Sequence, residues 1–167
     1  MTRLFLGLGS NIEPARYLPL GLAELENLLG SLRASRVYEG AAIGFSGAPF
    51  WNLVVEAQTE LSVGDLQAAL RAIEYAHGRP VQASRFSPRS LDIDILIYGD
   101  SCGVVDGVVL PRAEILDNAF VLRPLAELAG SSLHPAVGRT YAELWQAYDA
   151  ESQPLTPVAW DGQVLRS

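Results

Sequence analysis

The chain contains no lysine, and all twelve of its basic side chains are arginine. That absence removes the Walker A lysine, lysine Schiff bases and Ser-Lys dyads together, so a P-loop nucleotidase is excluded. Cysteine is almost as scarce. The single Cys102 can neither close an intramolecular disulfide nor build a multi-cysteine zinc site, and a lone thiol makes the cytoplasm the expected compartment. Positive charge is in deficit, with 19 acidic against 12 basic residues and a net charge of −7. A general nucleic-acid partner is therefore not expected, because phosphate contacts need a cationic face. Any anionic ligand must be held by a local cluster instead. No apolar run reaches the ~18 residues of a membrane span, and the apolar stretch after Arg3 breaks at Gly7, too soon for a signal-peptide core. What is present is an ordinary globular composition, 49% apolar and 19% charged over 167 residues. Residues 1–149 read as one domain and 150–167 as a polar, loose tail, in a chain expected to be monomeric.

Residues 3–8 read as a buried strand, followed by a glycine-rich turn and by Pro14 at a first helical turn. Leu18, Leu22, Leu25, Leu28, Leu29 and Leu32 recur at three- and four-residue steps and predict a helix over 15–32. Two strand-like runs, 35–43 and 50–61, flank a loop from Gly44 to Pro49. Ser62, with Asp65 three residues on, starts a second amphipathic helix that ends at Gly78. Residues 80–90 carry no period, and 91–98 form a fourth strand whose first half alternates strictly. The order β-α-β-β-α-β predicts an α+β fold of the ferredoxin-like kind, an antiparallel sheet with helices packed on one side. A short hairpin over 103–110 and helices over 119–128 and 140–148 complete it.

The sharpest local signal is Asp92-Ile93-Asp94. Strand residues two apart share a face, so the two carboxylates point the same way, about 6.6 Å apart, while Leu91, Ile93 and Ile95 face the core. At that distance they repel by about 2.5 kcal/mol at an effective dielectric near 20, a cost that a divalent cation relieves. All-oxygen ligation suits Mg²⁺, whereas Cys102, His77 and His134 are too few and too scattered for zinc. The plainer alternative is two solvated acids on an open sheet face. Arg79, Arg85 and Arg89 lie just upstream and suit a bound polyphosphate or, equally, an arginine–aspartate salt-bridge network. Phe45, Phe50, Trp51, Asn52, Phe86 and Phe120 fall in or beside loops, where rings could sandwich a heterocycle whose amide edge Asn52 reads. Aromatics in such places are more often simply core. Glu74 either faces the same cleft or solvates its helix, and both histidines read as structural.

Taken in order, Gly7-Leu8-Gly9-Ser10-Asn11, Phe50-Trp51-Asn52, Arg89-Ser90-Leu91-Asp92-Ile93-Asp94-Ile95-Leu96, Leu110-Pro111 and Ala119 to Leu125 resemble the 6-hydroxymethyl-7,8-dihydropterin pyrophosphokinase family of folate biosynthesis. The resemblance implies pyrophosphoryl transfer from ATP to the hydroxymethyl group of the pterin, with release of AMP. It implies two Mg²⁺ ions on Asp92 and Asp94, and Arg79 and Arg89 joining those acids as catalytic residues. A pterin site of Gly40, Ala42, Ile43, Phe50, Asn52 and Phe120 follows from it, as does an ATP site of Arg71, Glu74, Arg79, Arg85, Arg89, Ile95 and Arg112. The chain departs from the family pattern at Arg112 in place of histidine, Asn118 and Val81 in place of arginines, and Glu39-Gly40-Ala41-Ala42. Those departures leave a second reading open, a weak or silent paralogue that acts as a pterin-binding module.

Overall fold

A computed structural model describes residues 1–42, 47–78 and 89–159; Ile43, Phe45, Arg79, Val81, Arg85 and Phe86 lie outside these residues. Strand β1 (Thr2–Ser10) runs up the middle of the sheet and leads into helix α1 (Pro14–Leu29). Pro14 opens that helix as expected, and the chain turns out of it at Gly30, whose φ of 83° is open to glycine at little cost. The single strand expected over 35–43 is two short ones, β2 (Arg33–Ala34) and β3 (Tyr38–Gly40). The cause is local. The Ser35 hydroxyl accepts from the Val54 N–H at 3.0 Å, a bond the ladder would otherwise make to a carbonyl, and the Arg36 N–H turns away to Glu127.

Both short strands pair with β4 (Phe50–Thr59). Helix α2 (Val63–Ala76) then starts where the sequence places it, the Ser62 hydroxyl accepting from the Asp65 N–H at 3.1 Å. Strand β5 (Asp92–Tyr98) returns beside β1. The hairpin of β6 (Gly103–Val105) and β7 (Val108–Leu110) precedes a short helix α3 (Glu114–Asp117) that the sequence did not announce. Helices α4 (Ala119–Ala129) and α5 (Tyr141–Ala147) follow, α5 opened by a reciprocal capping box of Thr140 and Glu143. Beyond a 3₁₀ turn at Ala150–Ser152, strand β8 (Thr156–Pro157) pairs with β3, so the described part of the expected loose tail is attached to the sheet. No helix among the described residues is long and apolar enough to cross a membrane.

The strand path is β5-β1-β4-β3-β8, antiparallel at every junction, with β2 beside β4. The split strand and the added β8 make it larger than a bare four-stranded ferredoxin-like sheet. Leu4, Leu6, Leu8, Leu53, Val55, Ile93 and Ile95 face one way and bury against Leu18, Leu22 and Leu25 of α1 and Leu66 and Leu70 of α2. The opposite face is covered only in part. There Phe5, Val54, Leu96 and Ile97 pack on Ile115 and on Val121, Leu122 and Leu125 of α4. A register shift between Phe5 and Leu6 turns both Leu96 and Ile97 toward that second face, which is why the alternation of β5 fails after Ile95. Replacing the fully buried Leu22 by alanine should cost about 2–5 kcal/mol, read as a lower urea midpoint at unchanged m-value.

Candidate active site

The site grows out of the register of β1. Gly9 lies directly between Asp92 on β5 and Asn52 on β4, and Asn52 pairs in turn with Tyr38 on β3. One row therefore crosses four strands on the partly covered face, and one step along it Gly7 separates Asp94 from Val54. The two glycines bring no side chain of their own, and neighbours lean over them, Asn52 and Phe50 over Gly9 and Leu96 over Gly7. With strands about 4.8 Å apart, the strands that carry the acids and the amide stand roughly 10 Å apart. A Cβ at Gly9 would stand 2.6 Å from the Asn52 Oδ1, so a methyl group there would displace the amide. Asn52 is only 9% exposed, yet among the described residues its amide makes no hydrogen bond, so it is held ready for a partner from the cleft. The sequence marked this glycine-rich segment as a weak turn signal; the row shows that it is the floor of the site.

Asp94 is the most perturbed titratable group at this floor. Burial, and then the neighbouring Asp92 carboxylate, raise its pKa to about 7, against the pull of Arg112 and Arg71. The Arg112 guanidinium stands 3.9 Å from Asp94 but donates its shorter bond, 2.7 Å, to Glu114. The two carboxylates present only oxygen to the cleft. Among the described residues no group of three or more His, Cys, Asp or Glu could hold a metal by itself, so a cation here would complete its shell from ligand oxygens and water. These donors fit Mg²⁺.

Glu74 settles a question that periodicity left open. It is fully buried, accepts the Ile93 N–H at 2.7 Å on the outer edge of β5, and accepts from Arg71 at 2.5 Å. It neither solvates α2 nor stands free in a cleft; it fixes the acid-bearing strand to the helix. Ile95, expected on the ATP side, has its side chain buried on the opposite face against α1 and α2, so it offers the site only backbone. Beside Arg71, a hollow of about 320 Å³ opens between α2 and the β6–β7 hairpin, lined by Gln67, Val108, Val109, Arg112 and Glu114. The hairpin is held there by Asp106, whose carboxylate accepts the Gly64 N–H at 2.9 Å. Gln67 and this hairpin wall were missed from sequence, because no spacing links positions so far apart in the chain.

Arg89 is 6% exposed, and its backbone is laced to Asn11: the Asn11 Oδ1 accepts the Arg89 N–H at 2.8 Å, and the Arg89 carbonyl accepts the Asn11 N–H at 2.9 Å. The Asn11 Nδ2 also donates to the Ala48 carbonyl at 3.1 Å. One buried amide thus ties residues 48 and 89 to the end of β1. Phe50 opens β4 level with Gly40, and Phe120 lies in the first turn of α4, half-buried against the second-face core. Ala42 ends the described stretch after β3, while Ile43, Arg79 and Arg85 lie outside the described residues. The His134 Nδ1 accepts from the N–H groups of Ala136 and Val137, and His77 ends α2 with its Nε2 3.5 Å from the Glu24 carboxylate.

Two outcomes follow from this geometry. Glu74→Ala strands a buried backbone N–H and an arginine, and should lower stability by about 3 kcal/mol in urea unfolding. Because Asp94 holds its proton more tightly folded than unfolded, the ionised form costs stability. The metal-free protein should lose stability as pH rises from about 4 through about 7, and Asp94→Asn should flatten that slope in thermal melts.

Comparison with known proteins converges on one family. The model of the 7,8-dihydro-6-hydroxymethylpterin-pyrophosphokinase family matches residues 5–130. The chain is 35% identical over 161 residues to the 2-amino-4-hydroxy-6-hydroxymethyldihydropteridine pyrophosphokinase of Pseudomonas aeruginosa, covering 94% of this chain and 98% of that one. It is 30% identical over 166 residues to the folic acid synthesis protein fol1 of Pneumocystis carinii, matching 97% of its own length but spanning only 22% of that longer protein. Among solved structures, Plasmodium falciparum HPPK-DHPS shares the fold at a TM-score of 0.67 and 14% identity, over 90% of this chain and 44% of that one. The chain belongs to the 7,8-dihydro-6-hydroxymethylpterin-pyrophosphokinase family.

Proposed function

We propose that this chain transfers the pyrophosphoryl group of ATP to the hydroxymethyl group of 6-hydroxymethyl-7,8-dihydropterin and releases AMP. The observation that carries this reading is the row across the sheet: two carboxylates on β5, Asp94 with a raised pKa, and a buried amide on β4 that makes no hydrogen bond among the described residues lie on either side of the two glycines of β1. The Asn52 amide offers both donor and acceptor to the pterin edge, with Phe50 and Phe120 against the ring faces and the backbone of Gly40 and Ala42 at the side. The substituent at the far end of the ring then points toward Asp92 and Asp94.

The triphosphate approaches from the other side, its nucleoside in the hollow between α2 and the hairpin beside Arg71 and Gln67. Arg112, with Arg79, Arg85 and Arg89, meets the phosphate oxygens. Asp92 and Asp94 would hold Mg²⁺, as two ions, which would supply charge neutralisation at the β-phosphoryl group. The residues themselves position the reactants. The acceptor hydroxyl oxygen bonds to the β-phosphorus as the bond from that phosphorus to the α-phosphate oxygen breaks; the hydroxyl proton is lost and AMP keeps the electron pair. The residues of this reading all belong to one chain, so a monomer suffices for it.

Purified protein supplied with ATP, Mg²⁺ and the hydroxymethyl dihydropterin should release AMP only when the pterin is present. Asp94→Ala should lower the rate by at least about a hundredfold, in line with the loss of a preorganised electrostatic group. Saturable pterin binding without AMP would replace this reading with that of a silent, pterin-binding paralogue.

A further inference from the structure

The aromatic Phe120 stands at the start of α4, where the first backbone N–H groups have no partner inside the helix. The local cap is missing, since the Asn118 side chain makes no capping bond. Its place is taken from the far end of the chain. The Gln153 Oε1 accepts the Ala119 N–H at 2.9 Å, and the same amide donates from Nε2 to the Asn118 Oδ1 at 3.1 Å and to the Asp117 carbonyl at 3.3 Å. One side chain thus satisfies the helix start and the turn before it.

From Gln153 the chain crosses directly to the edge of the sheet. Leu155 sits over Gly40 so closely that a Cβ there would stand 2.8 Å from its Cδ2. Thr156 and Pro157 then pair with Glu39 and Tyr38, and the Val158 N–H bonds to the Val37 carbonyl at 2.8 Å. The other end of α4 is tied to the same strand. Glu127 accepts from the Tyr38 hydroxyl at 2.6 Å and from the Arg36 N–H at 2.9 Å, and the Arg123 guanidinium lies 4.6 Å over the Tyr38 ring. Glu127 and Arg123 thus both meet Tyr38, and Phe120 lies one helical turn nearer the start of α4, the end that Gln153 caps. The C-terminal segment spans the remaining opening between Phe120 and Gly40.

We propose that residues 153–155 form the outer wall of the acceptor slot. In that wall Gln153 is a positioning residue for Phe120, and Leu155 sets the width of the slot beside Gly40. This rests on the pterin reading of the slot, and it assigns a binding role to a segment that lies wholly beyond residues 5–130, the stretch matched by the family model.

The test uses the full-length chain with Gln153→Ala, Gln153→Glu and Leu155→Ala. Dissociation constants are measured for the hydroxymethyl dihydropterin and, separately, for a non-hydrolysable ATP analogue, with KM for both substrates and the fold checked by circular dichroism. Gln153→Ala and Leu155→Ala should each weaken the pterin about fivefold, the size of effect that a lost helix cap produces, with the ATP analogue within about twofold of the parent. Gln153→Glu should weaken the pterin no less than Gln153→Ala does, because its carboxylate still accepts the Ala119 N–H but faces the Asn118 Oδ1 and the Asp117 carbonyl with no proton to donate. Unchanged pterin affinity in both alanine variants, or equal weakening of both ligands, would overturn the inference. Should Gln153→Ala not fold, Leu155→Ala decides by the same split. A parent protein that binds pterin with this split but releases no AMP would refute the pyrophosphoryl-transfer reading alone.

Discussion

Everything at the site depends on the pairing of β1 with both of its neighbours at one register. Side chains in a strand alternate between faces, so a slip of one residue would turn Leu8 to the cleft and Gly9 to the core. That slip is opposed by Leu4, Leu6 and Leu8, which are at most 1% exposed beneath the sheet. The leucines hold the register, and the glycines between them leave room for Asn52, Phe50 and Leu96 on the other face. Apolar packing on one face thereby fixes polar geometry on the other.

The second constraint is electrostatic. A chain with seven more acidic than basic side chains brings two carboxylates side by side, and two arginines that act on Asp94 are also engaged elsewhere. Arg71 is bonded to Glu74, and Arg112 makes its closer bond to Glu114. Burial, with the Asp92 carboxylate beside it, outweighs their pull and raises the Asp94 pKa, which favours a ligand that arrives with its own cations. The buried carboxylate costs stability at the place where the chemistry needs it.

Much of this was legible in the sequence because it is local. The acid pair on a strand, the Ser62 cap, the leucine stripe of α1 and the aromatic–Asn pair on β4 each depend on spacings of a few residues. The features that were not legible join distant parts of the chain. Ser35 divides a strand by bonding to Val54, Glu74 reaches a backbone N–H on β5, and Gln153 caps a helix that begins at Ala119. Periodicity assigns a residue to a face but does not name the partner it meets there. Ile95 shows the same limit from the other side: the family resemblance named it for ATP, while its alternation with Asp94 had already turned its side chain to the core.

The edges of the sheet carry a consequence of their own. An exposed edge strand offers unpaired N–H and C=O groups to any other chain with a free edge, which is a route to aggregation. Here the outer N–H of Ile93 on β5 is taken by a carboxylate, and the edge of β3 is covered by β8. That last strand has only two residues, and one of them, Pro157, has no N–H to give. Each edge of the sheet thus offers a neighbouring chain fewer free groups than a bare strand would, and the segment that finishes the sheet shortens the length open to pairing.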